Sequence, residues 1–307
     1  MENNATLKSG TAVLVGRTNV GKSTLLNALV GTKIAIVTPK PQTTRDTYHG
    51  IVTRRGAGQV VFVDTPGIFK TQPSKLVANL HHKVRDALEG LDLIVHVVDP
   101  TRPIGAEDRR VLDLVAQATQ PKTESGATSR PCAAILALNK LDLADRPFRQ
   151  SWLERAPQYS AAVEVSARNA TNMDLLLNAI FRHLPVGPFQ YPEGQVSNIT
   201  NEFWITELIR EKIYLKTSEE LPYTATVRLE KVEDRKTKTG EPLLYIRAVI
   251  LTTDERHQRM FIGQGARKIK DIGSFARKEL EVAMNRKVFL DLAVEVDGHW
   301  MDRLGRE

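Results

Sequence analysis

The chain has 307 residues, 41% of them hydrophobic and 26% charged, which excludes a disordered protein and favours two globular domains. The net charge of +7 points to a polyanionic partner. The opening MENNATLKSG has no apolar segment, and the longest apolar-rich run, LDLIVHVV at 91–98, carries Asp92 and His96. Neither a secretory signal nor a membrane span is expected. Cys132 is the single cysteine, so no internal disulfide can form, and in CAAILAL it is expected as a buried, unreactive thiol. The expected compartment is the cytoplasm.

Along the chain, TAVLV at 11–15 reads as a strand running into GRTNVGKS at 16–23, and a helical pattern opens at Lys22. This is the setting of a phosphate-binding loop. Gly16 and Gly21 let the backbone curl its N–H groups toward phosphates, Lys22 neutralises β and γ oxygens, and the Ser23 hydroxyl ligates Mg²⁺. The expected nucleotide contacts are Gly16, Arg17, Thr18, Asn19, Val20, Gly21, Lys22, Ser23 and Thr24. For Asn19 two readings stand: a ligand of a monovalent cation beside the phosphates, or a loop-stabilising amide.

TPKPQTTRD at 38–46 is a polar loop in which Thr44, or alternatively Thr43, offers Mg²⁺ a hydroxyl. YHGIVTR and VVFVD read as strands, and DTPG at 64–67 ends the second. Asp64 would hold Mg²⁺ through water and the Gly67 N–H would reach the γ-phosphate, with Thr65 and Pro66 completing the loop; loss of that phosphate releases the segment. The position after Gly67 is Ile68, where Ras-like proteins place a water-orienting glutamine, so slow intrinsic turnover is expected.

A helix near 75–89, the strand at 91–99, a helix near 104–119 and the strand AAILALN follow. PKTESGATSRP at 121–131 reads as a surface loop. NKLD at 139–142 ends a buried strand and names the base: the Asp142 carboxylate accepts from N1–H and the exocyclic amine of guanine, Asn139 contacts the base edge and fixes the loop, and the Lys140 stem covers the ring. Ser166, Ala167 and Arg168 follow the strand VEV, where the Ala167 N–H is aimed at guanine O6. A last helix runs near 171–184. Strand–helix alternation of this kind implies an α/β domain with a mostly parallel, six-stranded sheet over residues 1–184.

LPVGPFQYPEGQ marks a linker, placed at 185–200. Beyond it, residues 201–307 read as α+β: a helix in NEFWITELIREKIYL, strands TATVRLEKV and LLYIRAVILT about the turn DRKTKTGE, a helix near 267–284 and the strand VFLDLAVEV. Residues 201–307 hold 20 basic and 19 acidic side chains, but 256–287 hold nine basic against three acidic. The charge is therefore concentrated around FIGQGARKIKDIG at 261–273. From the residues alone this stretch is an RNA clamp, a degenerate clamp kept for protein contact, or a solvated basic helix after a glycine turn.

With GRTNVGKSTLLNALVG, PQTTRD, VDTPG, NKLD and IGQGARKIKDIGSFARKELE in place, the sequence resembles the translation-factor-related bacterial GTPases and, within them, the Era-like proteins, from about residue 10 to about 302. The resemblance implies a P-loop GTPase domain followed by a type II KH domain, a monomer that hydrolyses GTP to GDP and binds 16S ribosomal RNA near its 3′ end during assembly of the 30S subunit. It further implies Mg²⁺ and K⁺ as cofactors, with Asn19 serving K⁺, catalytic roles for Lys22, Thr44, Asn19 and Gly67, and peripheral contact with the membrane. The RNA-binding residues it implies are Ile262, Gly263, Gln264, Gly265, Ala266, Arg267, Lys268, Lys270 and Arg277. A KH loop of the Gly-x-x-Gly kind clamps about four nucleotides; here Ala266 replaces the last glycine and Gln264 the usual central basic residue. Family members commonly have Pro where this chain has Thr18. The alternative is a GTPase of the same superfamily acting in tRNA modification, or on a membrane-associated partner, with the second domain as a protein-binding module.

Overall fold

The computed structural model describes residues 7–40, 43, 48–64, 91–120, 123–124, 127–128 and 132–303, and divides into two compact units, Met1–Asn198 and Ile199–Glu307.

The first unit is built on β1 (Lys8–Val15), α1 (Lys22–Val30), β2 (Tyr48–Arg54), β3 (Gly58–Asp64), β4 (Leu93–Val98), α2 (Ala106–Ala118), β5 (Ala133–Leu138), α3 (Arg149–Leu153), β6 (Ala161–Glu164) and α4 (Met173–His183). Its six-stranded sheet has the order β2-β3-β1-β4-β5-β6. Only β2 runs antiparallel to its neighbour; the other pairs are parallel, with Val13 opposite both Val63 and Ile94, and Val95 opposite Ile135. Every residue of β3 and β4 is buried, as a parallel sheet covered on both faces requires. Each fully buried Val, Leu or Ile in these strands contributes roughly 1.5–3 kcal/mol by leaving water. His96 belongs to this interior: Nδ1 is 2.7 Å from the Tyr159 hydroxyl, and burial, with Lys22 nearby, pushes its pKa down to about 3. It stays neutral and structural.

Parallel strands leave their loops at the carboxyl edge of the sheet, where open α/β sheets place ligands. The loops after β1, β4, β5 and β6 all leave from that edge.

Residues 185–198, read as linker, are hydrogen-bonded into the first unit. Ser9 N–H donates to Pro185 O at 2.9 Å, Ile51 N–H donates to Val196 O at 2.9 Å, and the buried Gln59 side chain accepts from the Gln190 and Tyr191 N–H groups at 2.8 and 2.9 Å. Proline and glycine shape this strap without freeing it. Cys132 is half-buried against the Val13–Ile94 core cluster, less enclosed than its apolar neighbours predict. The expected helix near 75–89 lies outside the described residues.

The second unit has α5 (Asn201–Lys216), β7 (Ala225–Lys236), β8 (Pro242–Thr252), α6 (Glu255–Ile262), α7 (Arg267–Met284), β9 (Lys287–Val296) and α8 (Trp300–Arg303). The sheet order is β9-β8-β7, with β8 antiparallel to β7 and parallel to β9. Alternation along β8 sends Leu244, Ile246 and Ala248 into a core with Ile205, Leu208 and Ile209 of α5 and Ala276 and Leu280 of α7. The Thr200 hydroxyl caps α5 through the Phe203 N–H. Four charged residues of α5 are buried as ion pairs, Arg210 with Glu207 and Lys212 with Glu211. Among the described residues, no helix is long and apolar enough to cross a membrane.

Candidate functional site

Gly16 lies against β4, where a Cβ would stand 2.4 Å from Val97 O. Gly21, at φ 98°, would place a Cβ 2.4 Å from Asn139 Nδ2. Neither position has room for a side chain, and Gly21 has the backbone conformation that glycine adopts freely. The tight curl between them points Lys22 back over the loop, where its Nζ donates to Gly16 O at 3.1 Å and Arg17 O at 3.2 Å. Burial pushes the Lys22 pKa down to about 8, against the pull of Asp64 and Glu107. A buried ammonium held only by carbonyls and distant carboxylates favours an incoming polyanion.

The Ser23 hydroxyl donates to Asp64 Oδ2 at 2.9 Å, which brings an alcohol and a fully buried carboxylate to one point. Among the described residues, no three His, Cys, Asp or Glu side chains converge to hold a metal. This donor set fits Mg²⁺, which takes one or two protein oxygens and draws the rest from phosphates and water. The other expected Mg²⁺ ligand, Thr44, and Thr65, Pro66 and Gly67 lie outside the described residues. Its alternative, Thr43, spends its hydroxyl inside the loop, donating to Lys40 O at 2.8 Å. The start of that loop is fixed by Asn27, whose side chain bonds Ile34 N–H, Ala35 N–H and Ala35 O at 2.8–3.0 Å.

Asn19 stands at φ 61° and its Nδ2 donates to Pro39 O at 2.7 Å, linking the phosphate loop to the 38–43 loop. Thr18 Oγ1 donates to Glu107 Oε2 at 3.2 Å, and Arg17 Nη1 to Asp108 Oδ2 at 3.0 Å. At the base end, Asn139 Nδ2 donates to Val20 O at 2.8 Å while its Oδ1 accepts the Ala167 N–H at 3.0 Å. The N–H expected to face guanine O6 is thus on Asn139, and a base oxygen would have to share or take it. Asn139 itself ties the phosphate loop to the base loops instead of presenting a free edge. Ser166, fully buried, donates from Oγ to Asp142 Oδ1 at 2.6 Å, which leaves the second carboxylate oxygen for a base.

These loops enclose one cavity of about 410 Å³. Thr18, Asn19, Gly21, Lys22, Ser23 and Thr24 line it from the phosphate loop, Thr38 to Lys40 and Thr43 from the loop before β2, and Asn139, Lys140, Asp142, Ala167 and Arg168 from the base loops. Gly16, Arg17, Val20, Asp64 and Ser166 sit behind that lining. Sequence reasoning missed Arg102, on the rim, and the buried Asp99, which accepts from Lys140 Nζ at 2.6 Å. The signal available for both was their place in DPTRP, at the carboxyl end of β4.

In the second unit, α6 ends at Gly263 (φ 69°, ψ 171°), a single tight turn spans Gln264–Ala266, and α7 starts at Arg267. A Cβ on Gly263 would meet Lys268 Cβ at 3.0 Å. Gly265 (φ 58°) and Ala266 (φ 59°, ψ 24°) are both left-handed. Ala266 is therefore no ordinary helix starter: alanine opens a helix without strain only at negative φ, and the turn imposes the opposite sign. Arg267, Lys268, Lys270 and Arg277 make no ion pair among the described residues, whereas five cations of the sheet, Arg228, Lys231, Arg235, Arg247 and Lys287, are paired with carboxylates. Half-buried Ile262 borders the turn from the end of α6.

Residues 11–140 match the family model described as 50S ribosome-binding GTPase, and residues 220–301 match that of the KH domain. The GTPase Era of Halothermothrix orenii is 38% identical over 303 residues, covering 97% of this chain and 96% of the relative. That of Pseudomonas aeruginosa is 37% identical, covering 96% and 92%. Among solved structures, Era in complex with MgGDPNP and nucleotides 1506–1542 of 16S ribosomal RNA superposes with a TM-score of 0.84 at 30% identity, over 97% of this chain and 96% of the other. A variant of Aquifex aeolicus Era bound to GDP and AlF₄⁻ gives 0.83 at 30% identity and the same coverage. A match of this identity across both units settles the assignment: the chain belongs to the Era family of GTPases.

Proposed function

We propose that this GTPase is a nucleotide-gated switch that docks on 16S ribosomal RNA near its 3′ end and assists 30S subunit assembly. The observation that carries the RNA half is a set of cations that make no ion pair among the described residues: Arg267, Lys268 and Lys270 in the first turn of α7 after the Gly263–Ala266 turn, and Arg277 further along the same helix. A polyanion neutralises them at no cost in broken ion pairs. The relative solved with MgGDPNP holds 16S ribosomal RNA at the same time, which supports a triphosphate form competent for RNA.

In the first unit, Lys22 neutralises the β and γ phosphates, and Ser23 and Asp64 hold Mg²⁺, with Thr44 and Gly67 the candidates for sensing the γ-phosphate. Bound Mg²⁺ supplies charge neutralisation at the leaving oxygens. Asn19 spends its amide nitrogen on Pro39 O, so its carbonyl oxygen is the atom offered to K⁺. That contact also ties the cation site to the 38–43 loop, so the cation and the loop order together. Asp142 and Ala167 read guanine. Residues 1–184 carry the chemistry and 201–307 the RNA surface. Contact with a membrane, where it occurs, is peripheral.

Footprinting on purified 30S precursor tests the proposal. Protection at the 3′ end of 16S ribosomal RNA in the presence of a GTP analogue is expected. A footprint absent from that end, with the analogue bound, would leave the alternative of tRNA modification or a membrane-associated partner.

A further inference from the structure

Asp99 follows β4 directly and is only 2% exposed, and it is not among the residues that line the cavity. One carboxylate oxygen is used locally: Oδ1 accepts from the Thr101 N–H at 3.0 Å and the Thr101 hydroxyl at 2.6 Å. That turn fixes the carboxylate plane. The other oxygen faces three cations. Lys140 Nζ donates to Oδ2 at 2.6 Å, and Arg17 Nη2 and Arg102 Nε each lie 4.0 Å from it. Lys140 belongs to the base loop and Arg17 to the phosphate loop.

Two features show that the contact with Lys140 is more than incidental. Lys140 holds a left-handed backbone, φ 65°, a conformation that a side chain adopts only when its surroundings impose it. Arg17 is held on its other side by Asp108 at 3.0 Å and by Pro103 O at 3.4 Å, while its buried Nη2 has, among the described residues, no hydrogen-bond partner and lies 4.0 Å from the Asp99 carboxylate. Burial raises the Asp99 pKa, but the hydrogen bonds from Lys140 and Thr101 outweigh it, and the carboxyl is held below its ordinary value. It is ionised at neutral pH.

We propose that Asp99 is a positioning residue for guanine-nucleotide binding: it anchors the Lys140 ammonium so that the alkyl stem stays over the base site, and it joins the base loop to the phosphate loop through Arg17. This rests on the assignment of the cavity as the nucleotide site. Asp99 touches no substrate; it acts through Lys140. Without the anchor, the lysine stem is free to sample rotamers that leave the base uncovered, and binding must order it at each encounter.

The test is a double-mutant cycle on the full chain, with Kd for a fluorescent GDP analogue as the readout. Asp99→Asn keeps the shape, removes the charge, and is expected to raise Kd about tenfold, the scale of one charge-assisted hydrogen bond. In steady-state hydrolysis the loss falls on KM and not on kcat. In a Lys140→Met background the same change is expected to alter Kd less than twofold, because the ammonium it anchors is gone. Multiplicative effects in the double mutant, or an unchanged Kd in Asp99→Asn alone, would overturn the proposal. If Lys140→Met by itself leaves Kd unchanged, the proposal is likewise overturned, whereas an unchanged Kd in Asp142→Asn would show that the cavity assignment fails instead. Should Asp99→Asn not fold, Thr101→Val, which removes one of the two donors that fix Oδ1, is expected to raise Kd about threefold; no change there would also overturn it.

Discussion

Replacing Ala266 by glycine should stabilise the second unit, although glycine at the start of an eighteen-residue helix ordinarily costs stability. Ala266 sits at φ 59°, ψ 24°, between the left-handed Gly265 and the first residue of α7. An L-residue with a Cβ pays about 1–2 kcal/mol for that conformation. Removing the methyl group relieves this, and against it stands the extra freedom of glycine in the unfolded chain, about 0.5–1 kcal/mol. The net expectation is a gain of about 0.5–1 kcal/mol, with Ala266→Val, branched at Cβ, losing at least that much. Gly263→Ala is the matched control. At φ 69°, ψ 171°, its new Cβ would lie 3.0 Å from Lys268 Cβ, and a loss of about 2 kcal/mol is expected. Urea unfolding followed by Trp204 and Trp300 fluorescence, with Trp152 changed to Phe, isolates the second unit. A loss of about 1 kcal/mol in Ala266→Gly, the ordinary cost of glycine in a helix, would show that residue 266 has negative φ and refute the turn geometry.

Three further outcomes are expected. Lys22 has a folded pKa of about 8 against an ordinary 10.5, so between those values the unfolded chain binds more protons and stability of the nucleotide-free protein rises with pH. The relief amounts to roughly 3 kcal/mol by pH 10.5; wild type should show it relative to Lys22→Met, and equal slopes in the two proteins would contradict the burial of a charged Lys22. Asp142→Asn should weaken GTP binding by at least about tenfold and favour xanthosine triphosphate, read by competition, since the carboxylate that accepts from the base becomes partly a donor; unchanged guanine preference would place the base elsewhere. GTP hydrolysis should be faster in K⁺ than in Na⁺ and lose that difference in Asn19→Ala, and equal wild-type rates in the two salts would remove Asn19 from a cation site.

The α/β half of the fold is legible in the sequence because its strands are buried on both faces. LIVHVV and AAILAL need no alternation to be read, and the strands TAVLV, VVFV and AAILAL end where GRTNVGKS, DTPG and NKLD begin. Helix α6 is not legible in the same way: ERHQRMFI buries only Phe261, so periodicity has a single apolar point to work with, and its signal is the Asp254 cap, whose carboxylate accepts the His257 N–H at 2.9 Å. The strap at 185–198 reads as linker because its binding is through backbone and through Gln59, a partner far away in the chain. For the nucleotide site, motifs identify the residues that line the cavity but not those that hold them. Asp99, Glu107 and Asp108 meet the phosphate and base loops only once the sheet brings the ends of β1, β4 and β5 together. The sign of φ at Ala266 is likewise a property of the turn and of its packing, which composition does not encode.

The central claim is that nucleotide state gates the RNA surface. The most direct measurement is the affinity of the full chain for an RNA oligonucleotide from the 3′ end of 16S ribosomal RNA, compared between Mg²⁺ with GDP and Mg²⁺ with a non-hydrolysable GTP analogue at one fixed salt concentration. Binding at least about tenfold tighter with the analogue is expected, a coupling of roughly 1.4 kcal/mol, abolished when Arg267, Lys268 and Lys270 are changed together to alanine. Equal affinity in the two nucleotide states would contradict it.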